Sequence, residues 1–382
     1  MSDVTKEQIL DALRHVIDPD LGRDIVSLGF VTTASACDGA VKAVINLTTP
    51  ACPVKDQLRG QAETLLRAIP GVKSVNVEMT AVSKPAGPER KIAPDIRHIV
   101  AVSSGKGGVG KSTVAVNLAC ALAKTGAKVG LVDCDVYGPD VPMRMGLKGE
   151  PEAQGGKLVP KERHGVRTMS IGYLLDEDKP VVWRGPMVHK LIEQFLGDVA
   201  WGPLDYLLVD MPPGTGDAQL SLAQIVPLTG AVLVTTPQAV STFDVNKAVA
   251  MFKQVNVPIL GIVENMAGYV IEGLVEGAKP GAKVRLHVGG TDVAVNVDIE
   301  GRFSTVVDVF GSGGAQKLSQ KHGFPILGSI PLNPLVRVGG DAGDPITIAD
   351  PKSLIAQKFA EIAGRVAQRV AIQSHRALPI LQ

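Results

Sequence analysis

The residues with the clearest chemistry form a glycine-rich stretch that follows an apolar run. Residues 99–102 lead into Gly105, Lys106, Gly107, Gly108, Val109, Gly110, Lys111, Ser112 and Thr113, and a helical pattern comes next. Glycines in this arrangement let backbone N–H groups turn toward phosphate oxygens, the last lysine reaches the β and γ phosphates, and the serine hydroxyl suits Mg²⁺. The following helix adds its positive N-terminus. The stretch therefore predicts a nucleotide phosphate-binding loop, with a glycine turn that binds no ligand as the alternative.

Acidic residues follow two further apolar runs. Residues 128–132 lead into Asp133 and Asp135, and the run 204–210 ends in Asp210. Because the carboxyl ends of parallel strands share one edge of a sheet, these carboxylates are placed to hold Mg²⁺ through water and to orient an attacking water. The loop 214–217, which ends in Asp217, is placed to follow the γ phosphate. For Asp133 and Asp135 the alternative is a pair of solvated turn acids.

Composition limits the class of protein. The 382 residues are 45% hydrophobic and 20% charged, with a formal net charge of +1, which is typical of globular proteins and gives no sign of nucleic-acid binding. No apolar run reaches the roughly 18 residues of a membrane span, and the first ten residues lack signal-peptide features. The four cysteines are too scattered for a disulfide framework. We therefore expect a cytoplasmic protein with reduced thiols, no membrane span and no nucleic-acid partner.

The elements that must position the site alternate along the chain after residue 95. Apolar runs predict strands, and amphipathic patterns between them predict helices, from residue 99 to a closing helix at about 351–372. This alternation predicts an α/β fold with a parallel sheet and helices on both faces. The closing helix is basic and amphipathic, so it suits either a membrane surface or the sheet. We expect it to pack on the sheet, because the fold needs a last helix there.

A small α/β unit precedes the larger domain. Periodicity predicts helices at 5–16, with Thr5 as the N-cap, and at 54–68, and strands at 40–48 and 72–79. The stretch 83–94 has three prolines and no periodicity, which is typical of a linker. We therefore predict a small domain at 1–82, a linker at 83–94 and a larger domain at 95–382.

A second lysine, Lys106, directly follows the first glycine of the loop. In this feature the sequence resembles the deviant Walker A ATPases, which include MinD, ParA and the nitrogenase iron protein. The resemblance implies a homodimer in which Lys106 crosses to the partner's nucleotide. It also implies that Asp135, the second acid of Asp-x-Asp, is a switch residue and that Asn265 reads the adenine edge, with a structural cap as the alternative for Asn265.

These readings together predict an ATPase site. ATP and Mg²⁺ are the expected ligands. Residues 105–113 and Asn265 are expected to bind the nucleotide, and Ser112, Asp135 and Asp210 to hold Mg²⁺, partly through water. The residues expected to act in hydrolysis are Lys106, Lys111, Asp135 and Asp217.

Motifs spread along the chain narrow the resemblance. Residues 105–113, 133–140, 183–186, 210–217, 264–266, 309–311 and 330–332 are similar to the Mrp/ApbC branch of these ATPases. Membership implies an ATP-dependent iron–sulfur cluster carrier that delivers clusters to apoproteins and works with assembly factors. In that family a Cys-x-x-Cys follows the Asn-Met pair, and two protomers together hold a bridging cluster. This sequence has no cysteine after Cys134.

The small domain has its own resemblance. Asp18-Pro19-Asp20, Ser27-Leu28-Gly29 and the segment TTPACP at 48–53 resemble the MIP18-type domain of iron–sulfur assembly factors. Cys52 lies there, just before a predicted helix, whose dipole would lower the thiol pKa and favour a metal-binding thiolate. The alternative is a small buried side chain.

The segment that replaces the cysteine motif has a β pattern. Residues 283–288 and 293–297 alternate on either side of Gly289-Gly290, and 302–309 follow a second turn, which predicts a β-meander inserted at about 267–309. His287, Asp292 and Asp298 in this insertion suit either solvated strand faces or a metal site.

Three functions remain open from the sequence. The leading one is an ATP-hydrolysing carrier or scaffold for iron–sulfur clusters. The second is a positioning ATPase like ParA or MinD, which needs a DNA-binding patch or membrane helix that the sequence does not supply. The third is an ATP-switched adaptor that has lost the cluster and uses the insertion to bind a protein partner.

Overall fold

The computed structural model of the protein describes residues 4–47, 50–81, 93–174 and 185–377. Most of the predicted linker at 83–94 lies outside these ranges, as do Thr48, Thr49, Trp183 and Arg184 from the family motifs.

The N-terminal unit is a small sheet covered by two helices. Its first helix begins at the predicted cap, because Thr5 Oγ1 accepts from Gln8 N while Thr5 N donates to the Gln8 side chain, a capping box. The strand at Val31–Cys37 was not predicted, because its small and hydroxyl-bearing residues lack an apolar alternation. In chain order the elements are α1 (Lys6–Leu13), β1 (Ile17–Asp18), β2 (Arg23–Asp24), β3 (Val31–Cys37), β4 (Ala40–Asn46), α2 (Lys55–Arg67) and β5 (Ser74–Thr80).

The larger unit alternates strands and helices as predicted. Its elements are β6 (Ile96–Ser104), α3 (Lys111–Lys124), β7 (Val129–Asp133), α4 (Val141–Arg144), β8 (Ala153–Gln154), β9 (Lys157–Leu158), β10 (Lys161–Arg163), β11 (Val166–Ser170), α5 (Gly185–Gly197), β12 (Leu204–Asp210), α6 (Asp217–Ile225), β13 (Gly230–Thr235), α7 (Ala239–Gln254), β14 (Ile259–Leu274), β15 (Lys283–Val288), β16 (Thr291–Asn296), β17 (Arg302–Val307), α8 (Gly314–His322), β18 (Ile326–Leu332), α9 (Pro334–Ala342), α10 (Ile346–Ala349) and α11 (Leu354–Ala377).

One large sheet organises this unit. Its strand order is β10, β11, β7, β12, β6, β13, β14 and β17, and β18 also pairs with β14. The parallel strands are β11, β7, β12, β6, β13, β14 and β18. Strands β10 and β17 are antiparallel to their neighbours. The predicted α/β fold with a parallel sheet is confirmed, and antiparallel strands extend it at both edges.

Helices cover both faces of this sheet. One apolar core packs α5, α6, α7 and α8 against the strands, and a second packs α3 and α11 against the opposite face. Phe359, Ile362 and Val366 of α11 are buried in the second core, which confirms that the closing helix packs on the sheet. None of the helices in the described ranges combines the length and apolar character that crossing a bilayer requires.

The apolar run 259–264 predicts a strand, and β14 continues ten residues beyond the end of this run. Its backbone takes positive φ at Met266 (+56°) and Gly268 (+81°), and its register against β18 shifts between Asn265 and Tyr269. After this irregularity it pairs with β17, while β15 and β16 form a separate hairpin. The predicted insertion is therefore a β structure that continues directly from a core strand.

The two units touch along α11. Ala51 lies in the same core as α11, Pro53 packs on Gly364, and the Gln368 side chain donates to Asp20. Cys52 lies in this seam, in a cavity of about 420 Å³ that Thr125, at the C-terminal end of α3, also lines.

Candidate functional site

A cavity of about 430 Å³ lies at the carboxyl ends of the parallel strands. Of the residues predicted for the site, it brings together Lys106, Gly107, Gly108, Gly110, Lys111, Ser112, Thr113, Asp135 and Asn265. The segment 330–333 and residues of α4 and α9 complete the wall. This is the edge of the sheet where parallel α/β folds bind ligands.

The glycine loop runs from β6 into α3 as predicted. Gly110 is the N-cap of α3 and has φ of +80°, a left-handed conformation that favours glycine. A Cβ there would lie 2.3 Å from Asn265 Nδ2, and one on Gly105 would lie 2.3 Å from the backbone of Asp244 in α7. The loop is therefore tightly fitted between its neighbours.

Lys111 lies in the middle of a group of acids. Its Nζ donates to Asp210 Oδ1 at 2.6 Å and lies 3.7 Å from Asp135 Oδ2. Nζ also lies 3.2 Å from Ser112 Oγ. Burial by itself would lower the pKa of the Lys111 ammonium, but the neighbouring carboxylates outweigh it and raise this pKa, so the lysine is charged.

One ammonium does not balance these acids. Burial raises the pKa of the Asp210 carboxyl, against the effect of Lys111, and it raises the pKa of Asp135 in the same way. The pKa of Asp133 is raised well above its usual value by burial and by the charge of Asp210. The site therefore carries an excess of acidic groups, an environment that a divalent cation would relieve.

Asp133 has a structural part that its sequence position did not reveal. Its Oδ1 accepts from Asp135 N at 3.1 Å, and its Oδ2 accepts from Val141 N at 3.3 Å and from Ser170 Oγ at 2.9 Å. It thus holds both ends of the loop 135–140, so neither acid is a solvated turn residue. Asp135 lies in the cavity wall, whereas Asp133 is fully buried.

Asn265 is buried beside the glycine loop. Its Nδ2 donates to Val109 O at 2.9 Å, which orients the side-chain amide. The amide contacts the loop as well as lining the cavity, which gives it a structural role, and base reading stays a prediction.

The loop 211–216 connects β12 to α6, whose first residue is Asp217. Gln219, in the first turn of α6, is buried, and its Nε2 donates to Pro212 O and to Ser103 Oγ. Gln219 thus ties this loop to β6. No sequence signal marked this glutamine, because its partners lie on another strand.

The described residues contain no cluster of three or more His, Cys, Asp or Glu side chains that could hold a metal ion without further ligands. However, Asp135 Oδ1, Asp140 Oδ1 and Asp210 Oδ2 are buried carboxylate oxygens with no hydrogen-bond partner in the described structure. Buried acceptors of this kind normally have a donor. The water molecules of Mg²⁺ bound to nucleotide phosphates would supply one, so the residues fit this ion.

The cysteines differ in accessibility. Cys120 and Cys134 are buried, Cys37 is exposed at the end of β3, and Cys52 is half-buried. The expectation that a helix dipole lowers the Cys52 pKa is wrong. Burial raises the pKa of this thiol to about 11, and Asp18 and Asp20 oppose the thiolate further.

The polar residues of the insertion do not converge on one point. His287 Nδ1 lies 2.8 Å from Asp292 Oδ1, and both side chains are mostly exposed. Asp298 Oδ1 instead accepts from Glu300 N and Arg302 N in its own turn. This arrangement favours solvated strand faces over the metal site.

Comparison with known proteins gives two family matches and a set of full-length relatives. Residues 95–280 and 282–367 match the NUBPL iron-transfer P-loop NTPase family, and residues 6–79 match the iron–sulfur cluster assembly protein family. The chain is 43% identical over 376 residues to the iron–sulfur cluster carrier protein of Synechocystis sp., covering 97% of this chain and 99% of that protein. The carrier protein of Deinococcus radiodurans is also 43% identical over 376 residues, covering 98% of each chain.

The chain also matches a longer protein and a solved structure. The chloroplastic Fe–S cluster assembly factor HCF101 of Arabidopsis thaliana is 40% identical over 381 residues, which cover 97% of this chain and 65% of that protein. Among solved structures, a nucleotide-binding protein of Archaeoglobus fulgidus in complex with ADP is 35% identical and superposes with a TM-score of 0.53, covering 69% of this chain and 93% of that one.

Proposed function

The chain belongs to the family of NUBPL-type iron-transfer P-loop NTPases, and on this basis we propose that it binds and hydrolyses Mg·ATP and carries iron–sulfur clusters to apoproteins. The family prediction made from the motifs is confirmed. The matched regions 6–79 and 95–367 support a division into a small assembly domain and a P-loop domain. The observation that carries the ATPase proposal is Lys111, which lines the cavity together with Ser112 and Asp135 and whose Nζ also contacts the buried Asp210.

The glycine loop and the lysine bind the triphosphate in this proposal. Backbone N–H groups of residues 107–112 and the N-terminus of α3 surround the β and γ phosphates. Lys111 exchanges its contact with Asp210 for phosphate oxygens, which replaces one negative partner with another. One N–H of Asn265 Nδ2 donates to Val109 O, which leaves Oδ1 to accept from the 6-amino group of adenine and the second N–H as a further donor.

The acids act on the metal and the attacking water. Mg²⁺, when bound, would offset the charge that develops in phosphoryl transfer. Ser112 and, through water, Asp210 are the residues that would hold it. Asp135 Oδ2 lies 3.7 Å from Lys111 Nζ, and in this proposal it orients the water that attacks the γ phosphate. Hydrolysis then depends on positioning and charge, with little covalent chemistry.

Lys106 and the loop 211–216 are the parts of the site that would respond to a second protomer and to loss of the γ phosphate. The backbone of Lys106 is fixed because Ser104 Oγ donates to its carbonyl at 2.8 Å, and its side chain lines the cavity. We assign Lys106 to the nucleotide of a second protomer, so the working form is a homodimer. Asp217 and the loop before α6 would report loss of the γ phosphate, through the tie that Gln219 makes to β6.

The cluster is cargo in this proposal, and its protein ligands must come from the four cysteines. The cysteine-free insertion cannot supply thiolates, and Cys120 and Cys134 are buried in the two cores. Cys52 is the proposed protein ligand, whereas Cys37 is exposed at the end of β3 and is assigned no part in the cluster. The raised pKa of Cys52 and the folded insertion favour, as a second candidate, an ATP-switched adaptor without a cluster.

Anaerobic reconstitution with iron and sulfide tests the cargo. We expect wild type to gain visible absorption, Cys52→Ser to lose it, and Cys37→Ser, the matched control, to keep it. Absence of absorption in all three proteins, with ATP hydrolysis intact, would support the adaptor. Transfer from the loaded wild type to an apoprotein, measured by recovery of that protein's activity, tests delivery.

A further inference from the structure

The loop between β7 and α4 places a second acid in the nucleotide cavity besides Asp135. Asp133 binds the backbone N–H of Asp135 at one end of the loop and of Val141 at the other. Both ends are therefore fixed, and the side chains of Asp135 and Asp140 line the same cavity. Neither the sequence motif nor the family resemblance singled out Asp140.

Arg144 holds one oxygen of this acid. Its Nε and Nη2 each lie 2.7 Å from Asp140 Oδ2, and the two residues are one turn apart at the start of α4. Both side chains are largely covered, with 31% of Asp140 and 22% of Arg144 exposed. Both N–H groups donate to the same oxygen, so they hold Oδ2 in place by charge-assisted hydrogen bonds and leave Oδ1 for another donor.

The other oxygen of Asp140 lacks a hydrogen-bond donor among the described residues. Oδ1 is buried and has no partner in the described structure, as is true of Asp135 Oδ1 and of Asp210 Oδ2. Asp210 is fully buried. The charge of Asp140 also reaches Asp210, since it adds to burial in raising the pKa of the Asp210 carboxyl. Asp135 and Asp140 line the cavity and Asp210 contacts Lys111, so the three unpartnered oxygens belong to residues in or beside the cavity wall.

We propose that Asp140 is a positioning residue for the metal of the proposed ATPase: its Oδ1 accepts a hydrogen bond from a water molecule bound to Mg²⁺, and Arg144 sets its orientation. This inference rests on the proposed function. The contact runs through water because the described acids do not form a metal cluster by themselves, and protein-bound Mg²⁺ keeps several of its waters.

The test measures Mg²⁺ dependence of nucleotide binding, separately from hydrolysis. A fluorescent non-hydrolysable ATP analogue is titrated with Mg²⁺ in wild type, Asp140→Asn, Arg144→Lys and Asp341→Asn. Asp341 is the matched control, because it lines the same cavity but is exposed and paired with Arg337 at 2.6 Å. We expect Asp140→Asn to raise the half-saturating Mg²⁺ concentration about tenfold, the effect of one charge-assisted hydrogen bond.

The remaining variants distinguish positioning from folding. Arg144→Lys keeps the positive charge but loses the double contact, so it should raise the Mg²⁺ requirement less than Asp140→Asn does. Asp341→Asn should leave it unchanged. Binding in EDTA should be equal or tighter in Asp140→Asn, because one negative charge near the phosphates is gone.

Two results would overturn the inference. An unchanged Mg²⁺ midpoint in Asp140→Asn, with any loss confined to melting temperature, would show a structural role only. An equal shift in Asp341→Asn would show a general charge effect. If wild type itself bound no nucleotide with or without Mg²⁺, the proposed ATPase function would fail, which is distinguishable from failure of Asp140 alone.

Discussion

The ammonium of Lys111 lies 2.6 Å from the Asp210 carboxylate, although the two residues are 99 positions apart in the chain. The lysine opens α3 and the acid ends β12, and the pairing of β12 with β6, the strand that leads into the glycine loop, brings them together. Each is 6% exposed or less. The phosphate-binding residue and the metal-binding residue of the proposed site therefore neutralise each other at short range.

Replacing this lysine should affect both binding and stability. Lys111→Ala is expected to abolish tight ATP binding and to lower the free energy of unfolding by about 3 kcal/mol, because it leaves a buried carboxylate without its counter-ion. Adding Asp210→Asn should recover the stability without recovering the binding. Calorimetry and a nucleotide titration check both expectations, and undiminished ATP affinity in Lys111→Ala would refute the site assignment.

The stability loss in Lys111→Ala should depend on pH. Burial already raises the pKa of Asp210, and removing Lys111 raises it further. When the pKa of a carboxyl is higher in the folded than in the unfolded state, the protein loses stability as pH rises from the unfolded-state pKa to the folded-state pKa. We therefore expect a larger drop in melting temperature at pH 8 than at pH 5. The same drop at both values would contradict a charged Asp210.

Replacing Lys106 should impair dimer assembly while leaving nucleotide binding intact. Lys106→Ala is expected to bind a non-hydrolysable ATP analogue with an affinity near that of wild type, yet to remain monomeric and to hydrolyse ATP poorly, because its ammonium serves the partner's phosphates. Light scattering with the analogue measures the mass, and Lys111→Ala provides the comparison in which binding itself is lost. A monomeric wild type with full ATPase activity would rule out the crossing lysine.

Two glycines of the loop give a matched pair. A Cβ on Gly105 would lie 2.3 Å from the backbone of Asp244, whereas the nearest atom to a Cβ on Gly107 is 3.9 Å away. Gly105→Ala must displace backbone, so we expect a loss of about 1–3 kcal/mol of stability, while Gly107→Ala should melt close to wild type. Thermal unfolding of the two variants side by side decides this, and equal melting temperatures would mean that the contact with α7 yields easily.

Asn265 should hold the loop through its amide. Asn265→Asp replaces the N–H donor to Val109 O with a second acceptor. We therefore expect ATP affinity to fall about tenfold. Asn333→Asp is the control, since this residue lines the same cavity but caps α9 by accepting from Leu335 N, which aspartate does equally well. Competition between ATP and GTP in Asn265→Ala measures its part in base selection; an unchanged preference would assign it to the loop only.

Cys52 should react slowly as a thiol. With a pKa of about 11 against the ordinary value of 9.0, its thiolate fraction at pH 8 is about 100-fold lower than that of a free cysteine. In a Cys37→Ser background, alkylation should therefore be slow in the folded protein, faster after unfolding, and should increase steadily with pH. Mass spectrometry locates the label, and rapid labelling of Cys52 at neutral pH would show that the helix dipole prevails after all.

Several features follow from local patterns in the sequence. The glycine loop, the helix α1 with its Thr5 cap and the strand Leu204–Asp210 were all predicted, because each depends on residues within a few positions of one another. Strand β14 was predicted too short, since Ala267 and Gly268 resemble a turn and only pairing with β17 carries the strand through them. Strand β3 was missed because its sequence has no apolar alternation. It is a strand because it pairs with β4.

The residue types of the nucleotide site, and the family that they indicate, were determined by the sequence alone, because phosphate binding needs a contiguous loop. Tertiary structure decided how those residues meet. The contact of Asn265 with Val109 spans 156 positions, and Asp133 and Gln219 acquired their roles from neighbours on other elements. It also reversed the expected pKa shift of Cys52, because burial of the thiol raises its pKa more than the backbone hydrogen bond at Val54 lowers it. Hydrogen bonds and burial between distant segments exist only once the sheet has formed, so no local pattern records them.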